Sequence, residues 1–127
     1  MNNFMNILYV EDNEDLRLSI QDLIESHNRK VFSCSSAEEA IHLDKNKKFD
    51  VVMTDISLPG MTGVEFAKFL LKENPERNVI LCSGYELGNY PKDWGKNVHS
   101  LLKPFEIEDL EAILEKIEKH YLNRENI

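Results

Sequence analysis

Side chains suited to metal and phosphate chemistry come directly after short apolar runs in this sequence. They are two adjacent acids, a third acid, a hydroxyl and an amine: Glu11, Asp12, Asp55, Ser83 and Lys103. A lone aspartate such as Asp55, before a Pro-Gly loop, typically only caps a turn. The recurrence of such residues at the ends of four different apolar runs favours a shared site instead.

The chemistry of such a site follows from its charges. Three ionised carboxylates within about 4 to 6 Å repel one another by about 4 kcal/mol per close pair at an effective dielectric near 20, so the cluster favours a bound cation. Hard oxygen ligands with room for water suit Mg²⁺, which commonly joins protein carboxylates to a phosphate. Asp55 would then be a carboxylate nucleophile, with the Ser83 hydroxyl and the Lys103 ammonium facing the phosphoryl oxygens.

The apolar runs alternate with helical patterns along the whole chain. We predict strands over residues 6–10, 30–35, 49–54, 78–82 and 98–102. Such alternation is typical of an α/β fold, a flavodoxin-like doubly wound five-stranded parallel sheet in the order 2-1-3-4-5 with helices on both faces. In that order strands one and three are neighbours at the switch point, where the carboxylates would converge.

Helix boundaries are indicated by capping residues. Asn13 or Asp12 can cap the first helix, and Ser36 and Thr62 each precede a glutamate by three residues, which is the pattern of a capping box. We expect four apolar residues of the first helix to form its buried stripe: Leu16, Ile20, Leu23 and Ile24. Residues 86–97 are the least regular part of the chain, so the fourth helix is predicted to be shortened or distorted.

Length, charge and cysteine content narrow the class of protein. We expect a single domain over residues 1–127, with a core of about 5–122, and no apolar run approaches a membrane span. The net charge of −8, with basic residues scattered among acids, argues against nucleic-acid binding. Cys34 and Cys82 lie in predicted strands as apolar residues, which favours a cytoplasmic location.

These residues together resemble the receiver domain of two-component response regulators, over essentially the whole chain. The resemblance is carried by Glu11 and Asp12, the run from Asp55 to Gly63 that includes Pro59, Ser83, and the sequence Lys103-Pro104-Phe105. It implies that Asp55 accepts a phosphoryl group from the phosphohistidine of a sensor histidine kinase or histidine phosphotransfer protein. It also implies that the domain catalyses only its own phosphorylation and dephosphorylation.

The resemblance further assigns a role to each polar residue. Mg²⁺ would be held by Glu11, Asp12, Asp55 and the backbone carbonyl of Ser57, while Ser83 and Lys103 would engage the phosphoryl oxygens. The bond between Lys103 and Pro104 is expected to be cis, as is usual in the family. A downstream protein partner is implied, and a phosphorylation-dependent homodimer stays open.

The sequence departs from the family in its switch region. Receivers usually carry Tyr or Phe three residues before the lysine, where this chain has Ser100, preceded by His99. We hypothesise that rearrangement of Ser83, Gly84 and Tyr85 instead moves the irregular segment directly. Tyr85 stands where the family tunes phosphate lifetime, and its ring predicts slow hydrolysis, although it could equally just pack on the loop.

The sequence also bears on other classes of function. A Mg²⁺-dependent phosphohydrolase would use an acid two residues after its nucleophile, where this chain has Ser57. A flavin-binding module needs hydroxyls and free amides after the first strand, and this loop is acidic. A phosphorylation-independent interaction module would not need the complete set of acceptor residues. Whether the domain stands alone or is part of a longer protein, such as a hybrid kinase, stays open.

Overall fold

The computed structural model describes residues 4–88 and 90–125 and shows a five-stranded sheet with helices on both sides. The elements in chain order are β1 (Met5–Val10), α1 (Glu14–Ile24), β2 (Arg29–Cys34), α2 (Ala37–Asn46), β3 (Val51–Asp55), α3 (Gly63–Glu73), β4 (Asn78–Ser83), a 3₁₀ turn (Tyr90–Asp93), β5 (Val98–Leu102) and α4 (Ile107–Glu125). Among the described residues, none of the helices has the length and apolar character needed to cross a bilayer.

The sheet is parallel throughout and its strand order is β2-β1-β3-β4-β5. In this order β1 and β3 are direct neighbours, with Ile7 opposite Val51 and Val10 opposite Thr54. The predicted fold class and strand order are therefore confirmed. Because both strands end at the same edge, the residues that follow them lie next to each other there.

Two apolar layers follow from the alternation of side chains along the central strands. Ile7 and Tyr9 of β1 point into the layer that α1 and α4 cover, and Leu8 and Val10 point into the layer beneath α2 and α3. All four side chains are at most 2% exposed. This burial on both faces explains why the strands read as nearly continuous apolar runs.

The helices are capped at the predicted residues, although of the capping box predicted at Ser36 the described residues show only the bond from the Glu39 N–H to the Ser36 hydroxyl. Asn13 accepts a hydrogen bond from the Leu16 N–H, and Thr62 forms a complete capping box with Glu65. One expectation for α1 is wrong, because Leu23 is 60% exposed while Ile20 and Ile24 are buried. Successive helical residues are rotated by about 100°, so the face that buries Ile24 turns Leu23 toward solvent.

The predicted shortening of the fourth helix is confirmed as well. Between β4 and β5 the described residues contain only the short 3₁₀ turn. Leu87 and Trp94 flank this turn and pack, half-buried, on an apolar cluster that includes Leu71 and Val79. A loop held by two side chains thus covers the part of the sheet where a regular helix would lie.

The first residue of α3 packs directly on the end of β3. A Cβ atom added to Gly63 would lie 2.0 Å from the Asp55 carbonyl oxygen and 2.6 Å from the Ile56 Cα. We expect Gly63→Ala to lower the free energy of unfolding by about 3 kcal/mol, because backbone atoms must move apart. Gly84→Ala is the control, since a Cβ there meets nothing within 4 Å. Urea titration of both variants measures the difference, and equal stability would contradict this packing.

Candidate functional site

Three carboxylates meet at the carboxyl edge of the sheet, beside the ends of β1 and β3. Glu11 is 2% exposed, Asp55 is 6% exposed and Asp12 is exposed to solvent. One oxygen of each carboxylate lies within 4.8 Å of the others. The sequence prediction that these acids converge is therefore matched by their placement in the structure.

Lys103 joins two of the three acids. Its Nζ donates to Glu11 Oε1 and to Asp55 Oδ2, each at 3.1 Å. Burial on its own lowers the pKa of Lys103, but the hydrogen bonds to Asp55 and Glu11 outweigh it, and the pKa lies above its ordinary value. The lysine is thus a fixed ammonium that neutralises part of the charge of the cluster.

Lys103 is held at the end of β5 by the backbone. Its N–H donates to the Ser83 carbonyl oxygen at 2.6 Å, which continues the pairing of β4 with β5. The bond between Lys103 and Pro104 is cis, as the resemblance implies. The ammonium therefore reaches the acids from the end of β5, which lies two strands away from β3 and three strands away from β1.

Glu11 is fixed from two further directions. Its Oε2 accepts a hydrogen bond from the Asn13 N–H at 3.1 Å, and its carbonyl oxygen accepts one from Arg17 Nη1 at 2.9 Å. Burial raises the pKa of the Glu11 carboxyl, and the Asn13 N–H and the Lys103 ammonium oppose that rise. Arg17 was not among the residues predicted from the sequence, although it lies one turn after Asn13 on the same face of α1, which was a usable signal.

Asp55 is the last residue of β3, and its carboxylate is held by the backbone of the loop that follows. Its Oδ1 accepts a hydrogen bond from the Ser57 N–H at 3.3 Å, while the Ile56 N–H donates to the Cys82 carbonyl oxygen at 3.0 Å. The backbone of Ser57 therefore lies against the carboxylate. This is the position that the resemblance gives to a carbonyl ligand of the metal.

The loop after Asp55 is braced from α2 by a residue that the sequence analysis also missed. Glu38 Oε2 accepts a hydrogen bond from the Met61 N–H at 2.9 Å. The left-handed Gly60, with a φ of 75°, passes so close that a Cβ there would lie 2.8 Å from the same oxygen. Because 23 residues separate Glu38 and Met61, no local sequence pattern predicts this contact.

Ser83 lies at the end of β4, but its hydroxyl is engaged elsewhere. Its Oγ donates to the Tyr85 carbonyl oxygen at 2.6 Å and accepts from the Tyr85 N–H at 3.1 Å. Ser83 is 1% exposed, whereas Tyr85 is 62% exposed. Gly84 links them, so the three residues form a closed turn beside the acids.

His99 and Ser100 are not brought into the acidic cluster. Ser100 is exposed and lines a slot of about 150 Å³ with Ser83, Tyr85 and Leu102. His99 is half-buried and points to the opposite face of the sheet, where it lines a different concavity beside Ile117 of α4. The structure therefore separates the two residues that the sequence analysis grouped as switch residues.

The donor set fits Mg²⁺. Two buried carboxylates and one exposed carboxylate present hard oxygen ligands within a radius that a single ion could span, and the exposed Asp12 leaves an open side for water. Lys103 cannot neutralise three acids alone. The residual negative charge favours a divalent cation at this place.

Comparisons with known proteins identify the family of this chain and its relatives. A family model described as the response regulator receiver domain matches residues 7–115. The cell cycle response regulator CtrA of Brucella ovis is 29% identical over 80 residues, which are 63% of this chain and 34% of that protein. This chain thus spans about a third of the length of the curated relatives that it matches.

Solved structures show the same fold. An N-terminal domain from Wolinella succinogenes (WS1339) superposes with a TM-score of 0.83 at 28% identity, covering 94% of this chain and 98% of that one. The response regulator TrrA of Thermotoga maritima, solved in complex with Mg²⁺-BeF, gives a TM-score of 0.80 at 22% identity, covering 90% of this chain and 99% of that one.

Fold and site together define an α/β protein with an acidic, lysine-bridged cluster at the switch point of its sheet. The match to the family model covers most of the chain. This chain belongs to the response regulator receiver domain family.

Proposed function

We propose that Asp55 accepts a phosphoryl group from a phosphohistidine of a sensor histidine kinase or histidine phosphotransfer protein, in a Mg²⁺-dependent reaction. The observation that carries the proposal is the Lys103 ammonium, which bridges Glu11 and Asp55 at 3.1 Å while Asp12 lies within 4.8 Å of both. The Asp55 carboxylate provides the nucleophile, and the adjacent ammonium can stabilise the negative charge of the incoming phosphoryl group.

The chemical step needs no proton transfer from the protein. A carboxylate oxygen of Asp55 forms a bond to phosphorus as the bond from phosphorus to the donor nitrogen breaks, and the nitrogen keeps the electron pair. Lys103 donates to the transferred phosphoryl oxygens once it turns from the Asp55 carboxylate. Glu11, Asp12, Asp55 and the Ser57 carbonyl would hold Mg²⁺, which would supply charge neutralisation. The Mg²⁺-BeF complex of the similar TrrA protein supports this assignment.

A phosphoryl group on Asp55 would compete with the Tyr85 carbonyl oxygen for the hydrogen bond from the Ser83 hydroxyl. That hydroxyl now donates to the Tyr85 carbonyl oxygen, so turning toward a phosphoryl oxygen breaks the closed turn that contains Gly84. We expect the described residues of the 86–97 segment to follow this change, because the segment begins one residue after Tyr85. Amide chemical shifts measured with and without the phosphoryl analogue BeF₃⁻ test this, and unchanged shifts over the segment would refute it.

Tyr85 is expected to slow loss of the phosphoryl group. Its ring is exposed on the turn that carries Ser83, where it can obstruct the water that hydrolyses the acyl phosphate. We expect Tyr85→Ala to hydrolyse about threefold faster, a difference of about 0.7 kcal/mol in the barrier. Decay of the phosphorylated protein, followed by intact mass, measures the rate. An unchanged rate would mean that the ring only packs on the loop.

The wider context of the domain is part of the proposal. The domain would pass its state to a downstream protein, alone or within a longer chain such as a hybrid kinase, with a phosphorylation-dependent homodimer as one route. It would be an enzyme only toward its own aspartyl phosphate. Cys34 and Cys82 are both free and buried, which is consistent with a reducing, cytoplasmic setting.

Intact-mass spectrometry tests the proposed function. The protein is incubated with acetyl phosphate, with and without Mg²⁺, and Asp55→Asn serves as the matched variant. We expect one Mg²⁺-dependent phosphoryl adduct, stable in acid and labile in base, that the variant lacks. An adduct that persists in Asp55→Asn would contradict the assignment. Absence of any adduct, also with a phosphohistidine donor, would favour a phosphorylation-independent interaction module.

A further inference from the structure

The loop of residues 56–62 joins β3 to α3, and it carries the Ser57 carbonyl that the proposed function assigns to Mg²⁺. The Gly63 N–H donates to the Ile56 carbonyl oxygen at 3.0 Å, which closes the base of the loop. Ser57 itself is exposed, and its N–H donates to Asp55 Oδ1 at 3.3 Å. The position of the Ser57 carbonyl therefore depends on what holds the outer part of the loop.

The outer part of the loop is held from α2. Glu38 Oε2 accepts a hydrogen bond from the Met61 N–H at 2.9 Å. Within the described residues, 4–88 and 90–125, no other hydrogen bond joins residues 58–61 to a helix or strand. This contact is therefore the one polar tie between the outer loop and the rest of the described fold.

Glu38 belongs to a helix that is fixed on the sheet. Ala37 and Ala40 are 0% exposed and pack in the layer beneath α2 and α3. Ser36 caps the helix, because its hydroxyl accepts a hydrogen bond from the Glu39 N–H at 3.2 Å. The Glu38 backbone lies between these anchored residues, so its carboxylate reaches the loop from a rigid base.

Glu38 accepts this hydrogen bond as a carboxylate. The bond from the Met61 N–H holds the pKa of Glu38 below its ordinary value, so the side chain is ionised at neutral pH. Glu39, the next residue of the same turn, is also acidic and exposed, but among the described residues it accepts no hydrogen bond from the loop. The two glutamates therefore differ in their contact with the loop and have the same charge.

We propose that Glu38 is a positioning residue for the Mg²⁺ site, because its bond to Met61 restricts the loop that presents the Ser57 carbonyl. This role rests on the proposed function, which assigns that carbonyl to the metal, and it adds a residue of α2 to the site. Without the bond the loop would sample more backbone conformations, and Mg²⁺ would have to order it on binding. Removal of the Glu38 carboxylate should therefore weaken Mg²⁺ binding although no metal ligand is changed.

Isothermal titration calorimetry with Mg²⁺ compares three variants with the wild type. We expect Glu38→Ala to raise the Mg²⁺ dissociation constant about fivefold. Glu38→Gln should raise it less than about twofold, because the amide oxygen can accept the same hydrogen bond. Glu39→Ala is the matched control, since it removes the same charge from the neighbouring exposed position, and its constant should also stay within about twofold. Urea midpoints verify that all three variants fold.

Amide hydrogen exchange, measured without metal, locates the effect in the loop. The Met61 N–H should exchange about tenfold faster in Glu38→Ala than in the wild type or Glu39→Ala. The Ile56 N–H, which bonds to the Cys82 carbonyl oxygen at 3.0 Å, should keep its exchange rate. Phosphoryl acceptance from acetyl phosphate should be slower in Glu38→Ala at limiting Mg²⁺ and should recover as Mg²⁺ approaches saturation.

The possible failures are distinguishable. An unchanged Mg²⁺ dissociation constant in Glu38→Ala, or an equal rise in Glu38→Gln or Glu39→Ala, would overturn the role of Glu38 and leave the proposed function standing. Equally faster exchange at Met61 and Ile56 would also overturn it, because Glu38 would then only stabilise the fold. Absence of Mg²⁺ binding in the wild type would overturn the metal site and the role of Glu38 together. Glu38-dependent Mg²⁺ binding in a protein that gains no phosphoryl group would support the role of Glu38 and contradict the phosphoacceptor function.

Discussion

Replacing Lys103 by glutamine is expected to slow phosphoryl acceptance about 100-fold while tightening Mg²⁺ binding several-fold. The ammonium lies 3.1 Å from an oxygen of Glu11 and 3.1 Å from an oxygen of Asp55. In the unphosphorylated protein it competes with the metal for these carboxylates, so its removal leaves more negative charge for Mg²⁺. During transfer, however, it is the fixed cation that faces the developing phosphoryl charge.

Slower phosphoryl acceptance and tighter Mg²⁺ binding are opposite effects on function. Their combination distinguishes a lysine that acts on the phosphoryl group from a lysine with a purely structural role. Mg²⁺ affinity is measured by calorimetry, and the rate of acceptance from acetyl phosphate is measured by intact mass at saturating Mg²⁺. Lys72→Gln, an exposed charge change on α3, is the control and should alter neither value. Weaker Mg²⁺ binding in Lys103→Gln, together with the slower rate, would show that Lys103 only holds the site together.

The largest expected effect on stability is at the other end of the sheet. Arg77 is 8% exposed and forms two hydrogen bonds to the buried Asp44, at 3.0 and 2.9 Å, and one to the Phe49 carbonyl oxygen. Arg77→Met is expected to lower the free energy of unfolding by about 3 to 5 kcal/mol, because it removes the buried partner of Asp44 and leaves the carboxylate with the exposed Lys48 and the Phe49 N–H. Urea unfolding at neutral pH measures the loss.

Lys48→Met is the matched control for the same carboxylate. Lys48 lies 3.5 Å from Asp44 but is 66% exposed, so its removal should cost about 0.5 kcal/mol or less. Adding Asp44→Asn to Arg77→Met should recover part of the loss, since the unpaired charge is then absent. An equally large loss of unfolding free energy in Lys48→Met and Arg77→Met would contradict the claim that the buried Arg77 stabilises the fold more than the exposed Lys48.

The pH dependence of this pair follows from the direction of the Asp44 shift. Burial raises the pKa of Asp44, but the hydrogen bonds and charge of Arg77 outweigh it and hold the pKa below its ordinary value. Its contribution to stability is therefore present at neutral pH and is lost as the pH falls below about 4, through the pKa of the folded state. The deficit of Arg77→Met should begin to narrow at a higher pH, because without the guanidinium burial raises the pKa of Asp44 and its protonation then removes the unpaired charge.

The sequence predicts the sheet and the meeting of its acids because both depend on short-range signals. Apolar runs of five or six residues define strands, and strand alternation with helices limits the topology. The positions of Asp55 and Lys103 follow, since each comes directly after such a run. The irregular fourth helix is equally visible, because glycines and a proline interrupt the apolar pattern there.

Contacts between distant side chains could not be predicted in this way. Arg77 and Asp44 are 33 residues apart, and Glu38 and Met61 are 23 apart. Neither contact therefore produces a periodic pattern in the local sequence. The partner of the Ser83 hydroxyl depends on the geometry of one turn. The exposure of Leu23 depends on how α1 is rotated against the sheet, which hydrophobic spacing defines only to within a residue.

The position of the phosphoryl group tests the central claim most directly. After phosphorylation with acetyl phosphate and Mg²⁺, borohydride reduction converts an aspartyl phosphate to homoserine, and peptide mass spectrometry locates the converted residue. We predict homoserine at position 55 alone, with Asp12 unchanged. Homoserine at another position, or a phosphorylated protein in which no aspartate is converted, would contradict the assignment of Asp55 as the phosphoryl acceptor.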